Sequence, residues 1–310
     1  SRDELDTIYT SKIPTKLSEF NVASWDFSKN MESANAIDTG PNRLTGRVIN
    51  LPARAVTGYN WDGTVFNFNE APEQYGAIYF HDDDFEDAGW ETDFGFTIPN
   101  NLESGVYAAK LQSGSDEEYL PFFVRPIQGK ATSEIAVLFP TLTYITYANF
   151  HDLSDGLWDP DRIPNANPRL HLEQYDYIMQ NDMLSLYDKH SDGSGTCYSS
   201  RLRPILNMRP KHRYRIWNAP ARFAADLYMI DWLDAKGYKA DVITDEDIHN
   251  EGISLLTNYK VVITGSHPEY WTSQMLDGLD GYLESGGRLM YLGGNGFYGV
   301  LTVDPKRPYF

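Results

Sequence analysis

The stretch "KVVITGSHPEYW", Lys260 to Trp271, decides the fold class. Val261, Val262, Ile263 and Thr264 form an unbroken β-branched run with no polar alternation, the composition of a strand buried on both faces. Gly265 ends the run, and the next residues are Ser266, His267, Pro268 and Glu269. One reading is a helix start, with Ser266 or His267 as cap, Pro268 at the first helical position and Glu269 beside the positive end of the helix dipole. The other is a ligand loop, because open α/β sheets bind ligands beyond the carboxyl ends of their strands. A cap accounts for the proline and the glutamate but not for the histidine, and the stretch is expected to be both at once, a helix start whose capping geometry also presents Glu269 to a ligand.

Working outward, "EIAVLFP" (Glu134–Pro140), "ADVIT" (Ala240–Thr244) and "RLMYLGG" (Arg288–Gly294) are runs of the same kind. Between them lie helical patterns. "ARFAADLYMIDWLDAKG" places Phe223, Leu227, Ile230 and Leu233 on one side, and "SQMLDGLDGYLESGG" does so for Met275, Leu279 and Leu283 before closing on glycines. Strand and helix in alternation predict a parallel, doubly wound α/β sheet over 131–310. A connection of roughly 141–220 interrupts it, rich in Tyr, His, Asp and Trp, and reads as ordered.

Upstream the pattern differs. "GRVINL", "TVFNF", "YGAIYF", "DFGFTIP", "GVYAAKLQ" and "YLPFFVRP" are short β-rich runs between turn residues, which predicts an antiparallel β-sandwich over 46–130. Residues 1–45 read as the tail of a preceding β domain or a linker. With Ser1 first and a strand-like segment close to its end, the chain is expected to be a fragment of a longer, multidomain polypeptide.

Composition excludes several classes. Lys+Arg 26 against Asp+Glu 44 gives a net charge of −18, concentrated in the first 130 residues, which repels nucleic acid and anionic membranes. A solvated face that aids solubility accounts for it more simply than an acidic docking surface. Cys197 is the single cysteine, so there is neither an internal disulfide nor a thiolate cluster. No apolar run is long enough to span a bilayer and no signal segment opens the chain. A cytoplasmic protein is expected.

Three strand ends are predicted to share one rim. The first leads into "TLTYITYANFHD" with Tyr144, Tyr147, His151 and Asp152, the second into His267 and Glu269, the third into Asn295. Familiar motifs fail: His-x-Glu lacks the Pro-Cys-x-x-Cys of zinc deaminases, and "GNGFYG" (Gly294–Gly299) lacks the helix a dinucleotide needs. There is no nucleophile elbow. Two phenolates and a carboxylate carry three negative charges, a hard donor set matched to Fe³⁺ rather than Zn²⁺. Such binding requires phenols to ionise far below their usual pKa of about 10.

"GSHPEYWT", "YLESGGRLMYLGGNGFY", "SLYDKHSDGSG" and "APEQYGAIYFHDDDFEDAGWETDFGFTIP" together resemble the large, catalytic subunit of N,N-dimethylformamidase over nearly the whole chain. The resemblance implies a glutamine-amidotransferase-like α/β domain and hydrolysis of dimethylformamide to dimethylamine and formate. It also implies a mononuclear iron held by two tyrosines and a glutamate, for which the charge of that set predicts the ferric state, and a small partner subunit in a hetero-oligomer. The glutamate ligand matches Glu269, with His267 and Asn295 as neighbouring catalytic residues. The first tyrosine matches Tyr147, with Tyr144 as competitor. The second matches Tyr187 in "SLYDKH", with Tyr175, Tyr177 and Tyr198 as alternatives. A further lysine, glutamate and phenylalanine of the family fall beyond Phe310.

In that reading His267 passes a proton to the departing amine or orients Glu269, and Asn295 stabilises an oxyanion. Phe297, Tyr298, Tyr270 and Trp271 are candidate walls for a small amide. The rivals are hydrolysis of another small amide or formamide at the same metal site, and a non-catalytic sandwich that uses Trp61, Tyr79 and Trp90 to bind.

Overall fold

The structure, a computed structural model, describes residues 2–3, 20–84, 87–150, 173–214 and 218–308. It divides into two compact units, residues 1–88 with 190–198, and residues 89–189 with 199–310. The division falls inside the stretch expected to be one sandwich.

In the first unit β1 (Trp25–Asp26), β2 (Asn35–Asp38) and β3 (Gly46–Arg47) form a three-stranded antiparallel sheet, and β4 (Ala53–Val56) pairs with β5 (Ala77–Tyr79) through a bulge. Buried Asp38 organises the turn after β2. Its carboxylate accepts backbone N–H bonds from Ser24, Gly40 and Leu44 at 2.7, 2.7 and 2.5 Å, the Ser24 bond foremost in holding it below the usual carboxylate range. "TVFNF" and "DFGFTIP", expected as strands, are irregular. Phe66, Phe94 and Phe96 of these runs are exposed, although the Phe96 ring lies 6.2 Å from that of Phe122.

The second unit opens with a long antiparallel hairpin, β6 (Gly105–Ser113) and β7 (Asp116–Val124). Then follow β8 (Ile135–Phe139), α1 (Thr141–Thr146), α2 (Glu173–Gln180), α3 (Phe223–Ala235) and β9 (Asp241–Thr244). After these come α4 (Asp245–Glu251), α5 (Ile253–Leu256), β10 (Val261–Thr264), β11 (Tyr270–Trp271), α6 (Ser273–Glu284), β12 (Arg288–Met290) and β13 (Gly299–Val300). Four strands build a parallel sheet in the order β12-β10-β8-β9. From β8 the chain adds β9 on one side and later β10 on the other, so the direction of winding reverses between β8 and β10. Ligand crevices open at such a point.

Alternate residues of β8, β9 and β10 bury on opposite faces. Ala136, Leu138, Val262 and Ile243 pack with Ile248, Leu255, Leu256, Met275, Leu279 and Tyr282 of the helical layer. Val137, Phe139, Ile263 and Val242 pack with Phe223 and Leu233 of α3. This is why these strands carry no polar alternation. On α6 the buried position is Tyr282 while Leu283 is exposed, shifting the expected stripe by one residue. β12 is an edge strand, and Met290, Tyr291 and Leu292 are exposed. Among the described residues no helix is long and apolar enough to cross a membrane.

Candidate metal centre at the sheet's carboxyl rim

The helix expected at "SHPEYW" begins later. Thr272 caps α6, its hydroxyl accepting from Met275 N at 3.3 Å. Tyr270 and Trp271 are instead extended and pair in parallel with Gly299 and Val300. Pro268 and Glu269 therefore serve no cap. The chain leaves β10 through Gly265, where a Cβ would stand 2.7 Å from Pro140 Cδ and 2.8 Å from Asp226 Oδ2, so only glycine fits. The carboxylate of buried Asp226 accepts Ser266 N at 2.5 Å and the Tyr144 hydroxyl.

That course buries Glu269 to 1 % exposure and turns its carboxylate towards α1. Glu269 N donates to Thr143 Oγ1 at 3.2 Å, and Glu269 O accepts Tyr298 N at 2.7 Å. Tyr147 caps the C-terminal end of α1. Its Oη lies 2.7 Å from Glu269 Oε2 and 2.9 Å from Tyr187 Oη, and Tyr187 Oη in turn contacts Tyr270 Oη. A carboxylate only accepts, so the single Tyr147 proton goes to Glu269. Tyr187 then donates to Tyr147 and Tyr270 to Tyr187. Burial first raises all three phenols above their ordinary pKa; the bond each donates adds to the rise, while the bonds that Tyr147 and Tyr187 accept oppose it.

Two networks fix the tyrosines. The chain after Tyr147 is locked by Asn149, whose Nδ2 donates to Pro204 O at 2.7 Å and whose Oδ1 accepts Leu206 N at 2.8 Å. Asn207 Nδ2 donates to Tyr147 O at 2.6 Å. Tyr187 sits in a turn closed by Ser185 and Asp188 (Oγ to Oδ2 2.6 Å), with Leu186 N donating to Thr146 O at 3.1 Å. The buried Arg203 guanidinium joins the two segments, donating to Leu184 O at 2.6 Å and to Ala148 O at 3.4 Å.

The alternatives sort by position. Tyr144 is buried with its hydroxyl on Asp226, away from the trio. Tyr175 lies 3.5 Å from His212 Nε2. Tyr177 is exposed, and Tyr198 belongs to the other unit. His151 and Asp152 lie outside the described residues. His267 is half-buried, its Nδ1 buried without a partner among the described residues, and its ring faces Gly294, where a Cβ would lie 3.1 Å from Nε2. Burial lowers its pKa, with Glu269 and Asp226 opposing. Asn295 is exposed on the loop after β12 and makes no hydrogen bond to the trio among the described residues.

Arg222 is the member that sequence reasoning missed. Its guanidinium carbon stands 3.5 Å from the centre of the Tyr147 ring and 5.1 Å from that of Tyr214, and its φ is +53°. Arg222 precedes α3 in a stretch without periodicity, so no pattern pointed to it. Phe297, also at φ +53°, stacks on Trp271 at 4.8 Å, and Tyr298 meets Tyr270 edge to face at 6.2 Å. Strained non-glycine residues of this kind cluster at functional sites.

Residues 53–309 match the family model described as "N,N-dimethylformamidase beta subunit-like, C-terminal". The chain belongs to that family. It is 43% identical over 302 residues to the N,N-dimethylformamidase beta subunit of Paracoccus aminophilus, covering 93% of this chain and 38% of that protein. It is 42% identical over 322 residues to the beta subunit of the same name from an Alcaligenes species, covering 99% of this chain and 41% of that protein. The chain thus spans about two fifths of the length of these curated relatives. Both names are those of the beta subunit, which corrects the expectation of the large, catalytic subunit.

As hard oxygen donors the trio fits a trivalent ion. Donors held about 2 Å from one ion stand about 3 Å from each other, and the 2.7 and 2.9 Å separations here are of that size.

Proposed function

We propose that this dimethylformamidase family member takes part in hydrolysing the C–N bond of N,N-dimethylformamide, and that Tyr147, Tyr187 and Glu269 hold a single ferric ion for that reaction. The contact of the Tyr147 hydroxyl with both Glu269 and Tyr187, at the point where the sheet's winding reverses, carries the reading. The same reversal supports a doubly wound, glutamine-amidotransferase-like fold. The name beta subunit supports a second kind of subunit as partner.

A ferric ion in this position would supply Lewis acidity towards an amide oxygen and activate water. The protein's own groups do the rest. Tyr147 and Tyr187 are held protonated by burial, so they surrender their protons only to a strong positive charge. Glu269 has nearly no access to water, so solvent does not compete for its carboxylate oxygens. In the overall step water's oxygen joins the formyl carbon, the C–N bond breaks, and a proton reaches dimethylamine. His267, neutral because burial lowers its pKa, can accept a proton from water and return it to the departing nitrogen. Asn295, on its exposed loop, is available as a donor to the oxyanion. Dimethylformamide has no N–H, so an apolar wall of Phe297, Trp271 and Tyr270 suits its methyl groups.

Full-length protein should contain iron in equal amount to the chain and hydrolyse dimethylformamide fastest among small amides. A different amide in first place would reassign the substrate and keep the metal. Iron-free, colourless protein with no amidase activity would refute the reading and favour a binding module built on aromatics such as the exposed Trp90.

A further inference from the structure

We infer that His81, Asp84 and His190 form a second metal site, for one divalent ion of the zinc class, within the first unit and unrelated to the tyrosine cluster. Each of the three offers one ligand atom, and these atoms lie within 4.8 Å of one another. His81 Nδ1 is 3.2 Å and His190 Nε2 3.6 Å from the same oxygen, Asp84 Oδ1.

The outward-facing nitrogens decide what the inward ones can do. His190 Nδ1 stands 2.6 Å from Asp83 Oδ1, and a carboxylate can only accept, so Nδ1 carries the hydrogen. His81 Nε2 stands 2.7 Å from Ser194 Oγ, whose own proton goes to Asp192 Oδ1 at 2.7 Å. Ser194 therefore accepts from His81 Nε2–H. With both outer nitrogens protonated, neutral His81 and His190 turn their lone pairs, at Nδ1 and Nε2, towards a carboxylate oxygen. Three electron-rich atoms facing one another repel unless a cation lies among them.

Several features favour a metal over a proton as that cation. Both histidine side chains are only 4% exposed. His190 is backed by Asp83, which is itself fixed by Ser191 N at 2.8 Å, the carboxylate–histidine arrangement that orients metal ligands. Two imidazole nitrogens and one carboxylate oxygen suit zinc better than calcium or magnesium. Tetrahedral ligands at about 2.0–2.1 Å stand about 3.3 Å apart, near the 3.2 and 3.6 Å found. The rings stack at 3.7 Å and 10°, so coordination has to splay them until both lone pairs aim at one ion. The bound ion would staple the segment after β5 to the turn at 190–194.

The test uses full-length protein bearing Glu269→Gln, stripped with chelator and titrated with Zn²⁺ alone, so that metal held by the tyrosine cluster is not counted. About one zinc per chain should survive gel filtration, with a zinc-dependent rise in thermal midpoint. Asp83→Asn should weaken zinc binding about ten- to hundredfold, and Asp84→Asn or His190→Gln should abolish it. X-ray absorption of the zinc-loaded Glu269→Gln protein, with the proposed site left unsubstituted, should show two imidazoles and a carboxylate. Zinc that fails to bind, binds equally to Asp84→Asn, or lacks imidazole neighbours would overturn the site and leave a proton as the cation.

Discussion

Tyr147 Oη and Glu269 Oε2, 122 residues apart in sequence, stand 2.7 Å from each other inside the second unit. The Tyr147 ring also stacks on Tyr187 at 4.4 Å, but its hydroxyl and the Glu269 carboxylate meet out of reach of water. A phenol and a carboxylate buried together are costly unless they satisfy one another or a ligand. Glu269→Gln keeps an acceptor for the Tyr147 hydroxyl and changes little volume. It is expected to cost about 1 kcal/mol in urea unfolding while removing bound iron, measured by elemental analysis.

Arg222 lies on the Tyr147 ring at 3.5 Å and in a left-handed backbone conformation. Arg222→Met should remove the cation–π attraction, about 1–2 kcal/mol for a partly desolvated pair. Arg222→Gly should lose the same attraction but regain about 1 kcal/mol from relieved strain. The glycine variant is therefore expected to be the more stable of the two by chemical denaturation, the reverse of the usual order for glycine and methionine.

Burial brings the His212 imidazole down to about 4, helped by the charges of Arg222 and Arg209. The unfolded chain binds this proton near pH 6.5 and the folded one does not, so stability is lost as pH falls from about 6.5 to about 4 and changes no further below that. The total is on the order of 3 kcal/mol. Buried Asp226 and Asp245 are raised by desolvation and act in the opposite sense, so the test is a difference. Urea midpoints of His212→Asn should fall less than those of the parent over this window.

Gly265→Ala puts a methyl group against Pro140 and Asp226. Overpacking of this kind costs about 1–3 kcal/mol, and here it also displaces the exit from β10 that delivers Glu269. Thr272→Ala removes only the α6 cap, with its bond from Met275 N and its 2.8 Å contact to His249 Nδ1. It should cost about 1 kcal/mol and leave metal content unchanged. Thermal unfolding and iron analysis on the two variants separate the effects.

The parallel sheet was legible because buried strands must be apolar at every position: Val261–Thr264 and Ile135–Phe139 could be little else. That Tyr147 and Glu269 meet followed from topology, since a strand's carboxyl end fixes where the next residues go, whereas Asn295 of the same expected rim is exposed and makes no bond to them among the described residues. The choice of Tyr187 over Tyr175, Tyr177 and Tyr198 rested on resemblance, because no periodicity marks a long irregular connection. "SHPEYW" misled as a helix start because proline and glutamate after a strand imitate a cap, while the cap that forms is Thr272. "TVFNF" and "DFGFTIP" misled because alternation states only which side chains seek cover, and neither forms a strand here. Arg222 and the pairing of His81 with His190 left no local signal, being contacts between distant segments.

The central claim is that Tyr147, Tyr187 and Glu269 share one ferric ion. It is tested most directly by iron content and visible absorption of full-length protein beside its Tyr147→Phe and Tyr187→Phe variants. One iron per chain with a phenolate charge-transfer band, weakened and shifted by either substitution, is the expected result. Iron that stays bound with an unchanged band in both variants, or a parent without iron, would contradict it.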